Sequence, residues 1–384
     1  MMKYSFCVTT NRGLEDIVAR EISVLVPDAE KLEIGKSRVY FEANKEAVYL
    51  LNLWSRTIHR LLMVLGRERC KSLEDIYCFV SSLDFTGIID RKQTFAVRAE
   101  RSGKHKFSSP EIAATVGQAI IDSYLRDTGA SLRVNLKFPD VEFMCYLVND
   151  DFMITVNTTG ESLHKRNYRV YNHPAALKAT IASSLIMLSE WKTEEPFLDP
   201  MCGGGTIAIE AALIARNIAP GLFRKASFFF ERLLPFDRDE YLKVRDEAER
   251  RANHGVYSIT AIDISPRHLK GAHLNALSAG VHDTIRFIKG DARFLEKYMD
   301  IQPRVVVVNP PYGIKLTRMK HVPILYRDFL KSLKKVTERA CLVVITAATR
   351  VFREACKEAE ISIVERRLIL HGALQTTVFK CVIG

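Results

Sequence analysis

From Pro174 onward the chain repeats one pattern: a short apolar run, a polar residue at its end, then text with helical spacing. The runs are "PFLDP", "SITAID", "IRFIKGDA", "RVVVVNPP" and "CLVVITA". Short continuous apolar runs predict strands covered on both faces. Strands that alternate with helices predict an α/β fold, a mostly parallel doubly wound sheet. The closing segments, "SIVERRLILHG" and "LQTTVFKCVI", predict a terminal antiparallel pair.

Open α/β sheets bind ligands outside the carboxyl ends of their strands. Four successive ends here carry Asp199, Asp263, Asp291 and Asn309. Three glycines follow Asp199, and Thr206 opens a helix. Glycines let a ligand approach the backbone, and a helix start offers free N–H groups. The loop is neither the G-x-G-x-x-G fingerprint nor a Walker loop, so a ligand with a carboxylate or ribose is expected rather than a phosphate. Asp263 suits ribose hydroxyls, although it or Ser265 could instead cap a helix. Asp291 suits an adenine amino group. Asn309 lies between four valines and the rigid Pro310 and Pro311, which end the strand. Asn-Pro also marks ordinary turns, but the four ends together predict a nucleoside pocket.

The first half reads differently. Residues 1–69 give strand, helix, strand, strand, helix, strand, the order of a ferredoxin-like α+β unit. Residues 70–160 form a second α+β unit. "SLEDIYCFVSSL" and "SSPEIAATVGQAIIDSYLRDTG" are capped helices, and "TFAVRAERSG", "RVNLKF", "EFMCYLV" and "DFMITVNTTG" are strands. Residues 161–176 are a polar join, and 177–384 the α/β domain. The long stretch between Ala215 and Ser258 separates the first two strand motifs.

Composition narrows the class. No apolar run approaches the eighteen or so residues that span a bilayer. The eight cysteines contain no C-x-x-C pair, which argues against a metal site or a disulfide framework and for a cytoplasmic setting. The N-terminus reads as strand and amphipathic helix rather than a signal peptide. Net charge is +11, and all of it lies after residue 160: residues 1–160 balance at 21 Lys+Arg and 21 Asp+Glu, against 35 and 24 beyond. A polyanionic partner fits that excess.

The D-P-M-C-G-G-G-T loop, the later aspartates and N-P-P-Y-G resemble the motifs of class I methyltransferases that use S-adenosyl-L-methionine. With "GESLHKRNYRVYNHPAALKATIASSLI", the chain is similar to the RNA guanosine N2-methyltransferases with an N-terminal THUMP domain. Among these it looks closest to archaeal and bacterial tRNA enzymes acting on the sixth nucleotide, in the acceptor stem. The resemblance implies a Rossmann-like methyltransferase domain, a THUMP unit at 70–160, and an inserted helical segment between Ala215 and Ser258. It implies S-adenosyl-L-methionine as cofactor and S-adenosyl-L-homocysteine as product. Asp199, Gly203 and Gly205 would line the methionine end, Asp263 the ribose and Asp291 the adenine. Pro200, Cys202, Thr206, Ile264, Ala292 and Asn309 would complete the contacts. Asn309, Pro310 and Tyr312 would handle the target base, with no catalytic histidine.

The partner the resemblance implies is tRNA, held by its acceptor stem and end, with the protein a monomer and no membrane or metal involved. Candidate RNA contacts are Arg98, Arg101, Lys104 and Lys106 in the second unit and Lys165, Arg166 and Arg169 in the join. Beyond the catalytic loop come Arg318, Lys320 and Arg327. Rival readings are N2-methylation of large-subunit rRNA and N6-methylation of adenine in DNA, because N-P-P-Y serves any planar amine.

Overall fold

The computed structural model describes residues 3–313, 319–372 and 374–384. The first half runs β1 (Tyr4–Thr9), α1 (Glu15–Leu25), β2 (Glu30–Gly35), β3 (Arg38–Ala43), α2 (Glu46–Trp54) and β4 (Arg60–Arg69). It continues through α3 (Leu73–Ser81), β5 (Thr94–Ser102), α4 (Ser109–Thr128), β6 (Arg133–Val134), β7 (Val141–Val148) and β8 (Asp151–Asn157). Reciprocal Ser72–Asp75 and Ser108–Glu111 caps start α3 and α4, and Gly129, at φ +71°, ends α4.

The two α+β units share one eight-stranded sheet, ordered β2-β3-β1-β4-β8-β7-β5-β6. The seam is the antiparallel β4–β8 pair, with a register shift between Val64 and Gly66. The strand expected in "RVNLKF" shrinks to two residues. Asn135 Oδ1 accepts from the Lys137 and Phe138 amides, which bends the chain into a turn.

The second half contains α5 (Ala179–Leu188), β9 (Phe197–Asp199), α6 (Thr206–Ala215), α7 (Arg238–Arg250), β10 (Ile259–Asp263), α8 (Pro266–Ser278) and β11 (Ile285–Lys289). It closes with β12 (Val305–Val308), α9 (Val322–Val336), β13 (Ala340–Thr346), α10 (Thr349–Glu358), β14 (Ser362–His371) and β15 (Leu374–Ile383). The sheet order is β11-β10-β9-β12-β13-β15-β14, parallel except where β15 pairs antiparallel with both neighbours. All four valines of β12 are buried, as a central strand requires.

The segment between α6 and β10 braces the halves together. Phe228, Phe230, Leu233 and Tyr241 are buried in the core of the first half, around Tyr49. The Asp237 amide donates to Tyr49 Oη at 2.8 Å, and Tyr49 Oη donates to Glu240. Arg224 donates to the carbonyls of Thr159 and Glu161. Gly221 packs so closely on α2 that a Cβ would meet Leu53 backbone at 2.7 Å. Aromatic burial of this kind fixes the two halves relative to one another. Among the described residues, no helix is long and apolar enough to cross a membrane.

Candidate active site

The carboxyl ends of β9, β10, β11 and β12 open into one cleft of about 980 Å³. Of the residues expected at a cofactor and base site, Pro200, Cys202, Gly203, Thr206, Asp263, Ile264, Asp291, Ala292, Asn309, Pro310 and Tyr312 line it. Asp199 and Gly205 stand behind its wall. Gly205, at φ +79°, precedes α6 without a side-chain cap, and a Cβ there would come within 2.9 Å of Ala272. That position needs glycine for its conformation and for close helix packing.

Two acceptor side chains at the cleft are left open. Both carboxylate oxygens of Asp199 and the Oδ1 atom of Asn309 are buried without a hydrogen-bond partner. Burial, with the Asp263 charge nearby, pushes the Asp199 pKa well above the usual carboxylate range; the Met201 and Ala208 amides approach and pull the other way, but neither reaches hydrogen-bonding geometry. A buried acceptor without a donor is costly, so such atoms point to a ligand that supplies one.

The other two carboxylates are engaged. Asp263 accepts from the Gly203 amide and the Ser265 amide, both at 2.8 Å, and so fixes the glycine loop to β10. Ser265 takes the helix-capping role, accepting from the His268 amide. Asp291 forms a bidentate pair with Arg293, with Nη2 at 2.6 Å. Burial would raise its pKa, but the Arg293 guanidinium and amide hold it below the usual range.

The loop after β12 is held from beneath. Tyr326 Oη lies 3.2 Å from the Pro311 carbonyl and 2.8 Å from Thr346 Oγ1, joining the loop to α9 and β13. Tyr312 is half-buried on the cleft wall. Tyr326 was not singled out in the sequence; its only signal was its place on the apolar face of a helix.

The join contributes more than its polar text suggested. His173 packs over the loop, so that a Cβ at Gly203 would come within 3.1 Å of its ring. His173 Nε2 lies 3.2 Å from His268 Nδ1, and both rings line the cleft. Burial, then His268, lowers the His173 pKa. Asn275 on α8 accepts from the Val170 and Tyr171 amides and donates to the Gly204 carbonyl, tying the join to the glycine turn. Neither histidine was expected at the site.

Two expected RNA contacts turn inward. The Arg166 side chain is 2% exposed, bonded to the carbonyls of Leu163 and Arg56 and 3.3 Å from Glu210. It answers a buried carboxylate and is not available to RNA, which corrects the expectation. Arg169 donates to the Leu177 carbonyl and to Thr206 Oγ1, bracing the start of α6. Arg98, Arg101, Lys104 and Lys106 are exposed, though Arg98 is partly committed to the Leu136 carbonyl and Glu142. Lys165 is exposed and paired with Glu161. Arg318 lies outside the described residues.

The cleft fits S-adenosyl-L-methionine by its chemistry. It offers a glycine turn closed over by His173, and Asp263 and Asp291 at neighbouring strand ends, with the unpartnered Asp199 carboxylate behind its wall. Comparison with known proteins agrees. Residues 166–377 match the RMKL-like methyltransferase domain family, 70–157 the THUMP domain and 5–62 the RlmL ferredoxin-like domain. The tRNA (guanine(6)-N2)-methyltransferase of Methanocaldococcus jannaschii is 40% identical over 97% of this chain and 98% of its own. The ribosomal RNA large subunit methyltransferase K/L of Vibrio parahaemolyticus is 32% identical over 86% of this chain but only 47% of its own. Among solved structures, SMU.472, described as "a putative methyltransferase complexed with SAH", superposes with a TM-score of 0.87 at 27% identity, covering 99% of this chain and 98% of that one.

Proposed function

Because the chain belongs to the RMKL-like methyltransferase family and carries a THUMP domain, we propose that it methylates the exocyclic N2 amine of a guanosine in tRNA, at the sixth nucleotide. The substrate assignment is supported by a relative of that name matched along nearly its whole length. A cytoplasmic, monomeric enzyme working on the acceptor stem belongs to the same reading.

The observation that carries the chemistry is the buried, unpartnered Oδ1 of Asn309 on the cleft wall. Guanine N2 has two N–H bonds and a lone pair delocalised into the ring. Asn309 Oδ1 and the Pro310 carbonyl accept those two bonds and orient the nitrogen. Tyr312 stacks on the base, which must first leave its helix. Bound S-adenosyl-L-methionine supplies an electrophilic methyl group. The amine becomes acidic only as the new bond forms, so no strong base is needed; the two acceptors hold the proton until water takes it. Positioning and fixed dipoles thus provide the rate enhancement. Asp199, Asp263 and Asp291 serve the cofactor, and the exposed cations Arg98, Arg101, Lys104, Lys106 and Lys165 serve the RNA.

The test is incubation with an unmodified tRNA transcript, rRNA fragments and DNA, followed by mass mapping of the nucleosides. N2-methylguanosine at position six of tRNA is expected. N6-methyladenosine, or methylation confined to rRNA, would overturn the assignment.

A further inference from the structure

The seam between the two halves holds nitrogen side chains that the reaction does not use. His59 and Arg60 enter β4, His164 lies on the join, and Lys178 precedes α5, where it also forms part of the cleft wall. The His59 and His164 rings stand 5.5 Å apart. The Leu163 amide donates to the His59 carbonyl at 2.8 Å, which ties the two segments together. Ser162 Oγ and His164 Nδ1 are 2.7 Å apart. His59 Nε2 is buried without a partner.

Charge at the seam is unbalanced. Arg166 is answered by Glu210 and Lys165 by Glu161. Arg60 donates through Nε to the Gly160 carbonyl at 3.1 Å. Among the described residues, neither Arg60 nor Lys178 forms an ion pair with a carboxylate. Burial, then the Lys178 charge, pushes His59 down to about 3 and His164 to about 4, so both rings are neutral at pH 7. The half-buried Arg60 stands at the two neutral imidazoles, and Lys178, on the cleft wall, lies near enough for its charge to act on both rings; together they make a site for a single anion. A phosphodiester fits, since it accepts from guanidinium, ammonium and imidazole alike.

We infer that Arg60, His164 and Lys178 hold one backbone phosphate of the RNA beside the nucleotide whose base enters the cleft. This rests on the reading that the substrate is RNA. Lys178 belongs to both the seam and the cleft, so backbone and base of one strand are gripped together. Anchoring the backbone there offsets part of the cost of taking the base out of its stack.

The test uses the full-length protein and an unmodified tRNA transcript, with binding measured across a salt series without cofactor. Arg60→Gln and Lys178→Gln should each weaken binding and reduce the log–log salt slope by roughly one, the signature of a lost phosphate contact. Arg60→Gln should keep its affinity for S-adenosyl-L-homocysteine in calorimetry, which also shows that the cleft has folded. A slope unchanged in both variants overturns the inference, whether or not affinity falls. A wild-type protein that binds tRNA but leaves its guanosines unmethylated would sink the proposed function alone. Normal methylation with unaltered slopes would sink the phosphate site alone.

Discussion

Two buried polar clusters lie on either side of α6, and they are built on opposite terms. On the side facing the first half, Glu210 accepts from Arg166, Tyr168 and Ser183, and nearby Glu21 accepts from Ser55, Arg56 and Thr57. On the cleft side, Asp199 and Asn309 Oδ1 have no donor. Burial alone would raise both carboxyl pKa values. Glu210 is nevertheless lowered by Arg166, Ser183, Arg56 and Tyr168, whereas Asp199 is raised. The first cluster locks the halves together; on the proposed reading, the second is completed by what binds. The carboxylates of the first cluster are satisfied, although Arg56 Nη1 there is left without a partner, whereas at the cleft it is the acceptors themselves that are open.

The comparison breaks most visibly at Glu210. Glu210→Ala leaves Arg166 buried without its partner and should cost about 3–5 kcal/mol in denaturant unfolding. A loss below about 1 kcal/mol would show that the cluster does not lock the halves.

Asp199→Asn should do the reverse to the cofactor-free protein, raising its stability by roughly 1–3 kcal/mol at neutral pH while weakening S-adenosyl-L-homocysteine binding. The pH dependence has a definite sign. A folded pKa above the unfolded one means the native state binds more protons between the two values, so Asp199 lowers stability as pH rises through that window. Glu210, with its folded pKa lowered, contributes stability above its unfolded pKa that is lost on acidification. Unfolding followed from acid to neutral pH should therefore combine a Glu210 rise with an Asp199 decline, and Asp199→Asn should remove the decline alone; an unaltered profile would remove the asymmetry.

A smaller effect is expected at the far edge of the first sheet. Charge reversal of Arg101 and Lys104 together should weaken tRNA binding and reduce its salt dependence, with cofactor binding untouched. Unchanged RNA affinity would take those residues out of the interface.

The sequence showed the cleft more clearly than the lock. Strand ends are local: four apolar runs closing in Asp199, Asp263, Asp291 and Asn309 put the site at the carboxyl end of the sheet, and its parallel character follows from the alternation. The lock depends on contacts between distant segments. Arg166 and Arg169 read as solvent-facing because a polar stretch normally is, yet they fold inward against α6 together with Tyr168. One signal was available: Glu210 is the only charged residue in "TIAIEAALIA", a helix apolar all round, so it had to find buried donors. The fusion of two units into one sheet depends on β4–β8 pairing across the chain, which local periodicity does not encode. The turn at Asn135 was hidden by the strand-like alternation of "RVNLKF".

The central claim is that Asn309 serves the target amine through an acceptor the fold leaves open. Single-turnover methyl transfer to an unmodified tRNA transcript, run beside calorimetry with S-adenosyl-L-homocysteine, tests it most directly. Asn309→Ala should slow transfer by about 10²–10³-fold, the scale of one preorganised hydrogen-bonding group, and keep cofactor affinity within a few-fold. Transfer at the wild-type rate would contradict the account.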